Sequence, residues 1–138
     1  MVAYAVLVSI IAILGNLGAR AEVDNTSVVR EQYNVVGFPK DFIYIAKSRL
    51  RLSSECLKKN DLSCAAYAAT QKASLKAVKD KLAAQAEPGS MICRQLGGQV
   101  LLARNEKKDE LTFCRFTDGS LVSGGTLQYY GMKNDEKP

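Results

Sequence analysis

The chain has 138 residues, 47% of them hydrophobic, with a formal net charge of +5, four cysteines and no histidine. That length suits one ordinary domain or two very small ones, and a mild basicity evenly mixed with acidic residues argues against a nucleic-acid partner. Without an imidazole, a serine or cysteine nucleophile lacks its usual base, so the common hydrolase constellations are excluded.

Val2 to Leu14 is almost wholly apolar, and the small residues that follow end in Ala19-Arg20-Ala21. An apolar core followed by an A-x-A site is the pattern of a secretory signal peptide. The reading is a signal peptide over residues 1–21, cleaved near Ala21, and a periplasmic or secreted product. No Lys or Arg precedes the apolar run, so retention of the leader as an anchor is the alternative. The run itself is shorter than the roughly 20 residues that cross a bilayer.

Residues 22–40 show no helical period and read as an extended arm. Its apolar end, Val35-Val36-Gly37-Phe38, either docks on the body or meets a partner. From Asp41 to about Lys59, Phe42, Ile45, Ala46, Leu50, Cys56 and Leu57 fall at spacings of threes and fours, which predicts a helix. Asp61 caps a second helix that runs to about Ala86, where Pro88-Gly89 stops it. With a turn near Asn60, antiparallel helices place Cys56 opposite Cys64, and a disulfide closing a ring of this size is worth about 2.6 kcal/mol. Pairing of either with a downstream cysteine is the alternative, because four cysteines allow three connectivities. Residues 41–87 are thus expected to form a helical hairpin. Lys72, Lys76 and Lys79 share one face of its second helix, either as the solvated back of the hairpin or as a surface for an acidic partner.

Composition changes at Pro88. A short helix through Leu96 ends at Gly97-Gly98, and strands follow over Gln99–Arg104 and Leu111–Thr117. Asp118-Gly119 reads as a two-residue hairpin turn. A third strand begins at Ser120 and continues, past a Gly124-Gly125 bend, through Thr126–Tyr130. Alternation along that strand sends one of Tyr129 and Tyr130 inward and the other to the surface. Residues 132–138 read as a disordered tail.

Metal binding is disfavoured by cysteine spacings of C-x7-C, C-x28-C and C-x20-C, which lack the short intervals of zinc sites. Structural disulfides explain Cys56, Cys64, Cys93 and Cys114 better. Gly97-Gly98 lacks the following lysine of a phosphate-binding loop, so no cofactor is expected. Glu106, Asp109, Glu110 and Asp118 leave a carboxylate-dyad hydrolase as a remote reading.

PGSMICRQLGG, then CRFTDGS, then QYYG occur in order between Pro88 and Gly131. This stretch resembles a small bacterial envelope family of unknown function whose members are often labelled hemolysins. The family pattern runs P-A-S-x-x-C-x-x-x-G-G, C-x-F-P-D-G-S, a cysteine and a tryptophan, then an aromatic pair before R-G-x-C. Thr117 stands where the family has proline, Val122 at the first position of a second cysteine pair, and no cysteine follows Gly131. The resemblance implies a single Cys93–Cys114 bridge in residues 88–131.

The expectation is an α+β fold: a disulfide-clamped antiparallel helical hairpin (41–87) joined to a small disulfide-bonded module (88–131) of one short helix and a three-stranded antiparallel meander. The expected function is that of an exported, non-enzymatic inhibitor-like or scaffold module that binds an envelope or extracellular protein or glycan. Lys72, Lys76, Lys79, Tyr129 and Tyr130 are its candidate surface. A membrane-active, hemolysin-like protein is the alternative, though membrane contact is not predicted.

Overall fold

The structure is a computed structural model that describes residues 23–24, 27–82 and 86–138. The leader and its cleavage point near Ala21 lie outside these residues. In chain order the elements are β1 (Val28–Val35), β2 (Phe38–Ile45), β3 (Leu50–Ser53), the two-residue strands β4 (Leu57–Lys58) and β5 (Asp61–Leu62), and α1 (Ala65–Lys72). A 3-10 turn (Lys76–Lys81) follows, then α2 (Pro88–Gln95), β6 (Gln99–Arg104), β7 (Glu110–Arg115), β8 (Leu121–Ser123) and α3 (Gly124–Asp135).

Six strands close into an antiparallel barrel in the order β1-β2-β3-β8-β7-β6. This overturns the expected helical hairpin with a separate three-stranded meander. Phe38–Ile45 is a strand paired along its whole length with β1, from Val35↔Phe38 to Val28↔Ile45. Its neighbours Phe42 and Ile43 are both fully buried, one inside the barrel and the other beneath the helices. A strand buried on both faces shows no polar alternation, so its apolar positions can fall at helical spacings by accident. The arm is likewise half of a hairpin. Thr126–Tyr130 lies within α3 rather than in a strand, and so does most of the expected tail. Ser123 starts that helix: its Oγ accepts from the Thr126 amide at 3.1 Å.

The barrel consists of two three-stranded meanders, β1-β2-β3 and β6-β7-β8, joined at two seams. One seam pairs only Leu52↔Val122. The other pairs Asn34↔Arg104 and Val35↔Ala103. Tyr33, Phe42 and Phe113 fill the interior, their ring centroids 4.4–5.5 Å apart, with Val35, Ala103 and Leu121 around them. A second core lies outside the wall, where Ile43, Leu52 and Val122 meet Ala66, Val78, Ile92 and Leu127. Segments on both sides of residue 84 therefore contribute to each core.

Candidate functional site

Both disulfides are formed. Cys56 and Cys64 have Cα atoms 5.1 Å apart, and those of Cys93 and Cys114 lie 5.6 Å apart. The first closes a miniature β-hairpin, not a helical one: Leu57 pairs with Leu62, and the Ser63 amide donates to the Cys56 carbonyl at 2.8 Å. Cys64 also caps α1, its Sγ accepting from the Tyr67 amide. The second bridge ties α2 to β7. Gly98 lies directly over it, and a Cβ there would sit 2.2 Å from the Cys114 sulfur.

The family-like residues after Cys114 build a joint rather than a reactive centre. Phe116 N–H bonds the Ser120 carbonyl and Gly119 N–H bonds the Phe116 carbonyl. Of Asp118 and Gly119, only Gly119 has positive φ, at 83°. The turn is therefore a three-residue hairpin loop and not the expected two-residue one. Asp118 Oδ2 accepts from the Ala65 amide at 2.8 Å, and its Oδ1 accepts from Ser120 N and Oγ at 2.9 and 2.6 Å. Ser120 Oγ in turn accepts from the Ala66 amide at 2.9 Å. Burial pushes the Asp118 carboxyl up, but the bonds from Ser120 and Ala65 outweigh it and hold the group below its ordinary range. Asp118 and Ser120 thus satisfy the first free amides of α1, 53 and 54 residues upstream. Of the other acidic candidates, Asp109 accepts from Asn105 and Glu110 pairs with Arg104, whereas Glu106 lies in the loop after β6.

The lysine stripe does not survive as one helical face. Lys72 ends α1, Ala73 is extended (φ −58°, ψ 134°), and Lys76 and Lys79 lie on the 3-10 turn beyond it. Tyr130 is buried in the outer core and donates from Oη to the Ser48 carbonyl at 2.8 Å. Tyr129 is half-buried, edge-on to it at 5.3 Å. The structure therefore places the tyrosines and the lysines on different elements.

Sequence reasoning missed a groove of about 610 Å³ between the β1–β2 turn and the end of β6 with the loop that follows it. It straddles the two-pair seam. Val36, Pro39 and Leu102 supply apolar walls, and Gln32, Asn34 and Asn105 supply amides. Arg104, Glu106 and Lys108 bring both signs of charge. Val36 and Leu102 are 63% and 52% exposed, and Phe38, across the turn from Val36, is 74% exposed. The turn itself is unusual. Val36 has φ 51° and Gly37 has φ 84°, a geometry that Asn-Gly or Asp-Gly fits easily and a β-branched residue fits worst. The Val35-Val36-Gly37-Phe38 motif was visible in the sequence, but nothing in it showed that Val36 and Phe38 would stand outward.

Residues 84–128 match the family model described as a domain of unknown function (DUF333). That stretch is similar to a family of unknown function. The match covers about a third of the chain and takes in α2, β6, β7, β8 and the joint at Asp118, but not β1–β3 or α1. No curated protein and no solved structure matches the chain significantly.

Proposed function

We propose that the protein is an exported, non-enzymatic binding module that holds an extended segment of another envelope or extracellular protein in the groove at the β1–β6 seam. The observation that carries this reading is Val36. A β-branched apolar side chain held at positive φ and exposed to solvent is costly, and strain of this kind concentrates where a side chain serves recognition. The groove's chemistry suits a peptide: amides for its backbone, apolar walls for its side chains, and balanced charge that favours neither a strong acid nor a strong base. Two disulfides support an oxidising compartment. The family-like residues support a structural rather than a catalytic role, because Asp118, Ser120, Gly98 and both downstream cysteines are occupied in holding the fold together.

The test is capture from the native envelope with the oxidised protein, run beside Leu102→Asp. Recovery of one defined protein by the unmodified chain, lost on Leu102→Asp while the melting temperature holds, supports the reading. Equal recovery by both proteins removes the groove from it. Release of dye from liposomes by the purified protein would favour instead the membrane-active reading suggested by the hemolysin label. Among the described residues, no helix is long and apolar enough to cross a membrane.

A further inference from the structure

At the other end of β2 from the groove, the turn into β3 presents Arg49 with its guanidinium 5.0 Å from the Tyr129 ring centroid. Lys133 lies on α3, one turn on from Tyr129, with its Nζ 5.9 Å from that ring and 5.7 Å from Tyr130. Lys47 is exposed in the same turn as Arg49. Elsewhere Lys40 pairs with Glu55, Arg51 with Glu31, and Arg104 with Glu110. No ion pair engages Lys47, Arg49 or Lys133 among the described residues. The turn is also clamped from behind. Tyr130 Oη donates to the Ser48 carbonyl at 2.8 Å, and Thr126 Oγ1 donates to the Arg49 carbonyl at 3.1 Å. Arg49 itself has φ 51°.

A guanidinium stacked on an aromatic face keeps its N–H donors free around its edge, ordered for an oxyanion. Lys47, Arg49 and Lys133 are exposed, and exposed ion pairs are individually weak, so a single small anion would be held poorly. A ligand with repeated anionic groups overcomes that by engaging several cations at once and releasing their counterions. Tyr130 is buried and one face of Tyr129 carries Arg49, so the surface presents cations rather than an open aromatic platform.

We infer that Arg49, Lys133 and Lys47 form a docking surface for an acidic polysaccharide, one that bears carboxylates at regular intervals. The choice of a polysaccharide among polyanions rests on the exported reading above; the surface itself is independent of the seam groove. The experiment is titration of the full oxidised chain with oligogalacturonate, with neutral dextran as the blank. Arg49→Asn combined with Lys133→Gln is compared with Lys58→Gln combined with Lys107→Gln, which removes the same charge elsewhere. Asparagine tolerates positive φ, so the first variant is expected to fold; its melting temperature checks this. The expected result is affinity weakened about tenfold in the first variant and unchanged in the second, with affinity falling as salt rises. Equal weakening in both variants, or no binding of oligogalacturonate, overturns the inference. Binding to phosphatidylglycerol vesicles without binding to oligogalacturonate overturns it in favour of a membrane surface. Val36→Asn leaves polysaccharide binding intact, so failure of the groove reading and failure of this one are told apart.

Discussion

Two side chains set the terms at the finest scale. Val36 occupies a backbone conformation that disfavours it, and Asn at that position should raise stability by about 1 kcal/mol. A thermal melt of Val36→Asn checks this, and the same variant should lose the captured protein. A gain in stability with unchanged capture would separate the strain from recognition. Asp118 works in the opposite sense. Its carboxyl is held below its ordinary range when folded, so its bonds contribute stability above the unfolded value. That contribution fades as pH falls below about 4 towards the depressed value. Asp135 adds to the same trend, its carboxyl lowered by Ser74 Oγ and the Lys76 amide. Asp118→Asn should therefore cost about 1 kcal/mol at neutral pH and flatten the acid limb of the stability curve. An unchanged acid limb would deny Asp118 that part.

Among the elements, the hairpin closed by Cys56 and Cys64 joins β3 of the barrel to α1. Replacing both cysteines by alanine should cost about 2.6 kcal/mol and raise amide exchange in α1 more than in β2. Uniform exchange would mean that α1 is held without it. The pairing was legible because a chain that reverses near residue 60 brings residues 56 and 64 near each other whether its arms are helices or strands; in the strand register Cys56 faces Ser63, the neighbour of Cys64. The arms were not legible. Phe42, Ile43, Tyr44 and Ile45 are aromatic or β-branched, a strand signal, yet burial on both faces erased their alternation. At the other end, Gly124-Gly125 reads as a bend, but Ser123 caps a helix there and the tertiary contacts of Leu127 and Tyr130 stabilise it. The helix that opens at Pro88 and the strand at 99–104 stand where turn residues and alternation place them, while the strand expected over 111–117 runs over 110–115 and leaves Phe116 and Thr117 to the loop. The groove was hidden for a different reason: its walls come from residues 32–39 and 102–108, and only barrel closure brings these together.

For the whole molecule, the division of labour between the two meanders has a direct consequence. Residues 86–138 alone carry three of the six barrel strands and leave Phe113 without Tyr33 and Phe42. That piece, oxidised, should show no cooperative thermal transition and poor dispersion of its amide resonances, whereas the whole chain should unfold in one step. A cooperative transition in the fragment would mean that the DUF333-like stretch is self-sufficient. The two sparse seams should also be the first parts of the wall to open, with amide exchange at Val35 and Ala103 faster than at Tyr33 or Leu101.

The contact between Asp118, Ser120 and the opening amides of α1 works as a socket awaiting a plug. A polypeptide that carries the Asp-Gly-Ser loop behind an unrelated upstream region must bring the start of some helix to fill it, or leave the loop to water. Across proteins that share only this short stretch, the upstream partner is therefore to be sought by that one geometric demand, not by likeness of sequence.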